Sequence, residues 1–165
     1  MLDNDDDDLL RIHKKVKQFF EEIQAEILGE DMENHIIDVP IDVIFGTDDK
    51  IRLICRVAIT NEWIHLKCLV MYHKSLPRKR AVQQALWEDL LLGNYMYPDV
   101  TFSIDEDKNI FVEADVPTIT TLDNFISNFS SIGLGIDHFY NEIIPKLDEN
   151  IKRTSTVDIY NNLYT

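Results

Sequence analysis

The stretch ICRVAITNEWIHLKCL, Ile54 to Leu69, alternates apolar and polar side chains on both sides of a break at Asn61-Glu62. Alternation with period two belongs to strands that bury one face, and the break has the length of a hairpin turn. A turn centred on Asn61-Glu62 sets Ile59 opposite Ile64, Val57 opposite Leu66 and Cys55 opposite Cys68, apolar against apolar. Slipping the pairing by one residue would put charges in the core, so this register should hold. The two opposed cysteines admit a cross-strand disulfide. Reduced core thiols are the favoured expectation, since free cysteine is commonly buried and cytosolic thiols stay reduced.

The alternation extends outward from this hairpin. Upstream, Ile37, Val39, Ile41, Val43 and Phe45 share one face, with Asp38, Pro40 and Asp42 on the other. After the turn GTDDK, Ile51 and Leu53 continue the apolar face that leads into Cys55. Arg52, Arg56 and Lys67 then stand on the wet face with Asp38 and Asp42 one strand away, a ladder of opposite charges read as structural. Downstream, FSIDEDKNIFVEAD (Phe102 to Asp115) forms a last hairpin that pairs Val100, Phe102 and Ile104 with Ile110, Val112 and Ala114. Asp105, Asp107 and Asn109 have the spacing that opens a calcium loop. That loop needs Gly at its sixth position and Glu at its twelfth, between two helices. Ile110 and Val116 stand there instead, between two strands, so the acids are read as turn formers.

Three segments have helical spacing. The first runs from Leu9 to Leu28, its apolar stripe formed by Leu9, Ile12, Val16, Phe19, Phe20, Ile23 and Ile27, with Gly29 placed as its left-handed cap. The second runs from Arg78 to Gly93. The third starts near Thr121 and carries Leu122, Phe125, Ile126, Phe129, Ile132, Ile136, Tyr140, Ile143 and Leu147 on one stripe; Pro145 should kink or end it. The fold class is therefore α+β: a five-stranded antiparallel sheet with three helices in the order α-β-β-β-α-β-β-α. The expected division is an acidic tail over 1–8, one domain over 9–147 and a polar C-terminal tail over 148–165.

Composition narrows the function. A net charge of −14 repels phosphate surfaces and argues against nucleic acid and anionic membranes as partners. No apolar run reaches the ~20 residues of a membrane helix. The start MLDNDDDDLL is acidic where a secretory leader is basic and then apolar, so a cytoplasmic protein is expected. No residue set meets the geometric demands of catalysis, and no catalytic residue, metal or cofactor is expected. His138 and Glu142, one helical turn apart, are read as a solvated pair on the face opposite the apolar stripe rather than half of a metal site. HKSLPRKR, His73 to Arg80, is the one basic cluster. Lys74, Arg78, Lys79 and Arg80 could hold an anion, nucleotide or RNA end beside free helix N–H groups; a solvated loop is the favoured alternative.

The second helix carries an anomaly. With Val82, Ala85, Leu86 and Leu90 toward the core, Trp87 and Leu91 fall on the opposite side, and Tyr95, Met96 and Tyr97 follow. A helix apolar nearly all round is normally buried on more than one side. Gln84, Trp87, Leu91, Tyr95, Met96 and Tyr97 are therefore the expected subunit or partner interface, the alternative cover being the C-terminal tail folded back.

The stretch LWEDLLLGNYMYPDVTFSIDEDKNIFVEADVP, Leu86 to Pro117, is similar to the helix, short aromatic link and acid-turned hairpin of a known family. Together with the element order up to Leu147, it resembles the type III secretion chaperone-like fold, including the YbjN-type proteins. The resemblance implies a sandwich of sheet and helices, a homodimer built around the second helix, and a non-catalytic role in holding or regulating a protein or peptide partner. The stretch after Leu147 is extra to that pattern.

Overall fold

The computed structural model describes residues 3–45 and 49–147. Helix α1 (Asp3–Glu22) is followed by strands β1 (Gly29–Asp31), β2 (Ile36–Phe45), β3 (Asp49–Ile59) and β4 (Trp63–Met71). Helix α2 (Arg80–Met96), strands β5 (Thr101–Ile104) and β6 (Ile110–Pro117) and helix α3 (Leu122–His138) complete the chain order. All six strands form one antiparallel sheet in the order β1-β2-β3-β4-β6-β5. The α+β class and the three helices agree with the sequence reading. The sheet has one strand more, because Gly29–Asp31 pairs with Asp38–Ile36 at its edge.

The register of the central hairpin is the expected one: Cys55 opposite Cys68, Val57 opposite Leu66, Ile59 opposite Ile64. The last hairpin likewise pairs Ile104 with Ile110 and Phe102 with Val112. One face of the sheet is dry. Val39, Val57, Leu66, Val112 and their neighbours are buried there, under α1 and α3. Those two helices lock through aromatic rings. Phe125 lies 5.2 Å from both Phe19 and Phe20, and Phe20 also meets Phe129 edge-on at 5.2 Å, a geometry that adds to the area these rings bury. The Lys15 ammonium donates to the carbonyls of Thr118 and Thr120, at 3.1 and 2.7 Å, tying α1 to the link before α3. Both cysteines are free and buried, and that burial raises both thiol pKa values, Cys68 to about 12. The side chain of Phe45 and the stretch 148–165 lie outside the described residues.

Helix α1 departs from its expected bounds. It begins at Asp3, so the acidic run forms its opening turns, where negative charge suits the helix dipole. It stops at Glu22 rather than Leu28. The Ala25 N–H donates to Phe20 C=O and the Gln24 N–H to Glu21 C=O, with Gln24 at φ 56. That is the Schellman pattern, with Gln where Gly is usual. Gly29 opens β1 instead of capping the helix. Glu30 in that strand accepts from Lys17 at 2.7 Å and lies 3.0 Å from His13 Nε2, so β1 is fastened to α1 by side chains.

Helix α3 starts where the sequence places it, the Thr121 hydroxyl accepting from the Asn124 N–H. Its far end shows how Pro145 is accommodated. Phe139–Ile143 adopts a π turn in which the Ile144 N–H reaches back to Phe139 C=O, and helix resumes over 144–147. A proline ring clashes with the carbonyl four residues earlier, here Asn141, and the wider π turn relieves that contact. The helix neither ends nor breaks. His138 is not on a solvated face: its ring is buried, 5.0 Å from Tyr97 and 6.2 Å from Phe102. Its Nδ1 is 3.4 Å from Glu142 Oε2 without forming a hydrogen bond. The cause is α2, which covers the flank of α3 that the apolar stripe leaves bare.

Two glycines on α3 give opposite expectations. A Cβ at Gly135 would sit 2.7 Å from Val112 Cγ1, whereas one at Gly133 meets nothing within 4 Å. Gly133→Ala should stabilise by about 0.5–1 kcal/mol through helix propensity. Gly135→Ala gains the same and loses about 1–3 kcal/mol to overpacking, for a net loss; urea unfolding of both variants measures the pair. Alkylation without reductant should leave the native protein unlabelled and add two groups after denaturation, which mass spectrometry counts.

Candidate functional site

Helix α2 buries Val82, Leu86, Leu90 and Gly93 against the domain. Its outer side stays apolar toward solvent. Leu91 is 68% exposed, Leu92 52%, Tyr95 85% and Met96 51%. Leu91 with Tyr95, and Leu92 with Met96, are four residues apart and form two neighbouring rows on one helix surface. Leu134 of α3, 58% exposed, lines a small cleft with Met96, Tyr97 and Val100, which carries the patch beyond the helix. No charged residue occurs between Leu90 and Pro98 in a chain whose residues are 28% charged. Single exposed apolar side chains need no explanation, but a contiguous set does.

Of the six residues expected at an interface, Gln84, Leu91, Tyr95 and Met96 are exposed. Trp87 and Tyr97 are only half-exposed and pack against the core. Trp87 lies about 100° from the centre of the buried Val82, Leu86 and Leu90 face, on the flank of α2 rather than opposite the core, so part of its ring reaches the core. Tyr97 turns inward onto the His138 ring. Leu92 and Leu134 were not expected. Leu92 was legible as the neighbour of Leu91, and Leu134 as a large residue off the α3 stripe.

The face of the sheet away from α1 and α3 is the second surface. Successive rows cross the strands. Asp38, Arg56, Lys67, Glu113 and Thr101 are register partners in turn. Arg56 and Lys67 are like charges directly opposed, an unfavourable pairing, and each has an acid on its outer side. Arg56 donates two parallel hydrogen bonds to Asp38 at 3.0 and 3.1 Å, and Lys67 lies 3.5 Å from Glu113. Arg52 clasps Asp42 in the same bidentate way, at 2.9 and 3.1 Å, with Lys50 at 3.0 Å on the same carboxylate. The next row is apolar: Pro40 faces Ile54, and Leu69 faces Phe111. Ile54, Leu69, Tyr72 and Phe111 line a groove of about 510 Å³ bordered by Asp38, Arg56, His65 and Lys67.

The basic cluster spans the short 3-10 turn and the approach to α2. Lys74 sits in a short 3-10 turn with its ammonium 5.2 Å from the Tyr72 ring. Arg78, Lys79 and Arg80 are exposed along the approach to α2 and its first residue, and the N-cap, Lys79, makes no side-chain cap. The Asp105–Asn109 segment is occupied by its own hydrogen bonds. Asp105 accepts from the Asn109 N–H at 2.8 Å and from Asn109 Nδ2 at 2.9 Å, both oxygens used in closing the turn, with Lys108 at φ 62. Among the described residues no group of three or more His, Cys, Asp or Glu is placed to hold a metal ion, and no helix is long and apolar enough to cross a membrane.

Solved structures share this architecture. A chain of the HopA1–SchA chaperone–effector complex is similar at a TM-score of 0.52 and 15% identity, over 79% of this chain and 94% of that one. A chain of the ExsC–ExsE complex is similar at 0.50 and 15%, over 79% and 91%. The structure of the Yersinia pestis type III secretion chaperone SycH with a fragment of YscM2 gives 0.49 and 14%, over 76% and 96%. The chain has the type III secretion chaperone-like fold. At these identities the likeness is one of fold. No family model matches the sequence, and no curated protein matches it.

Asp42 offers a test of the charged rows. Hydrogen bonds from Arg52, then Lys50, hold its carboxyl at about 2, below the ordinary aspartate value. A depressed folded pKa contributes stability that is complete above the unfolded value near ~4 and is lost as pH falls through about 2. Arg52→Leu should move the Asp42 titration upward and flatten that part of the stability profile; carboxyl NMR shifts between pH 5 and 1.5 follow it, the limits being about those two values.

Proposed function

We propose that this protein is a non-catalytic protein-binding module that works as a homodimer. The observation that carries the reading is the uncharged apolar surface of Leu91, Leu92, Tyr95 and Met96, extended by Leu134. Leaving such side chains in water forgoes roughly 1.5–3 kcal/mol of burial each. A second copy laid on the same surface recovers that burial twice, since a two-fold interface uses one patch on both subunits. Uncharged contact also matters for two chains of net charge −14, which repel wherever their acidic surfaces meet.

The partner polypeptide lies on the open face of the sheet or against α1. The open face supports this reading because its charges are already paired in rows, so a partner meets a nearly neutral surface with an apolar furrow through Ile54, Leu69 and Phe111. The solved structures that share the fold hold protein partners, which agrees with a holding or regulatory role of the YbjN-like or chaperone kind. Work of this sort belongs in the cytoplasm and needs no cofactor.

Light scattering tests the dimer. The wild type should have twice the chain mass at micromolar concentration, and Leu91→Asp should be monomeric with an unchanged circular dichroism spectrum. A wild type of single-chain mass overturns the dimer. Pull-down with wild type and with Phe111→Asp tests the partner surface: loss of captured protein only in the second supports the furrow, and equal capture by both rejects it.

A further inference from the structure

The last turn of α2 meets the outer edge of β5 at unusually short range. A Cβ on Gly93 would sit 2.7 Å from Phe102 Cε2, so only glycine lets the helix come this close. The next residue uses the proximity. Asn94 Oδ1 accepts from the Phe102 N–H at 2.6 Å, and Asn94 Nδ2 donates to Phe102 C=O at 3.1 Å. One carboxamide thus satisfies both backbone groups of one strand residue, as a facing residue does in an antiparallel ladder. Two residues earlier, the Val100 N–H donates to Tyr97 C=O at 3.2 Å. The other side of β5 is paired with β6. The outward backbone groups at Phe102 and the Val100 N–H, which a bare edge would offer to another strand, are therefore used within the chain.

We infer that Asn94 is a stopper on the β5 edge, and that it sets how a second copy joins at this corner: through the side chains of α2, not by continuing the sheet. This rests on the reading of α2 as the self-association surface. Asn94 lies between Leu92 and Tyr95 in sequence but turns toward the strand, so one short segment presents apolar side chains outward and blocks strand addition inward. A second copy seated on Leu91, Leu92, Tyr95 and Met96 leaves the Asn94–Phe102 bonds intact. A second copy adding its own strand must break both. An extended peptide is accordingly excluded from this edge and directed to other parts of the sheet.

The test compares Leu91→Asp with the double variant Leu91→Asp/Asn94→Ala, by light scattering across concentration and by amide exchange at Phe102. Leu91→Asp should be monomeric with a protected Phe102 amide. The double variant should regain mass as concentration rises. Its Phe102 amide should exchange roughly tenfold faster when dilute, the worth of about one net hydrogen bond, and become protected again on association. A double variant that stays monomeric at every concentration overturns the inference. So does a wild-type Phe102 amide that exchanges as fast as an unpaired one, a measurement that needs no variant. Should Leu91→Asp keep the wild-type mass, the α2 surface is refuted while the comparison at Asn94 still stands, now read as mass gained over that parent. If Asn94→Ala does not fold, Asn94→Asp keeps the acceptor for Phe102 N–H and sets an oxygen against Phe102 C=O. It should give a smaller gain in mass, and the absence of any gain there also overturns the inference.

Discussion

The pairing of Cys55 with Cys68, Val57 with Leu66 and Ile59 with Ile64 determines which side of the sheet is dry. Moving it by one residue would turn one strand over against the other, exposing its three apolar side chains and burying Arg56 or Lys67. At roughly 1.5–3 kcal/mol for each apolar side chain the loss is on the order of 10 kcal/mol, comparable to the whole stability of a domain this size. No alternative register competes. Everything built on either face inherits that choice: α1 and α3 cover the side that holds Val57 and Leu66, and the paired charges stand on the other. The neutral open face is thus a by-product of the same alternation that makes the core.

Helix α2 is held differently from its two companions. It touches the sheet at the β5 end and the π turn of α3, not across the broad dry face. A helix in that position can bury one side only, and Val82, Leu86 and Leu90 use it. The opposite side must be polar or be covered by another molecule, and between Leu90 and Pro98 it is not polar. The close approach at Gly93 and the hydrogen bonds of Asn94 hold that exposed side in a fixed direction. A binding surface benefits from such rigidity, because less freedom is lost when a partner arrives.

Patterns with a strict period were legible in the sequence. Alternation gave the register of both hairpins, and 3.6-residue spacing gave the start of α3. The acidic turn was legible because Asp105 and Asn109 satisfy each other locally. Features settled by contacts between distant segments were not legible. Strand β1 has no apolar alternation and exists because Glu30 is gripped by His13 and Lys17 from α1. Ile23 and Ile27 continue a helical rhythm past the true end of α1, since Ile27 remains half-buried in a non-helical segment. His138 was placed by helical geometry alone, which does not contain the Tyr97 and Phe102 rings that cover it. The sequence told where α2 stays apolar but not that Trp87 and Tyr97 would pack against the core.

The π turn at Phe139–Ile143 also sets a phase. Each residue of an α-helix advances by about 100°, and the turn accommodates one residue beyond the regular count. Leu147, beyond the turn, is buried. A wider turn takes up its additional residue locally, so the helix that resumes after it keeps Ile143 and Leu147 toward the interior. The proline ring and the widened turn are thereby matched within one stretch of backbone, and the helix passes through both without losing its grip on the core.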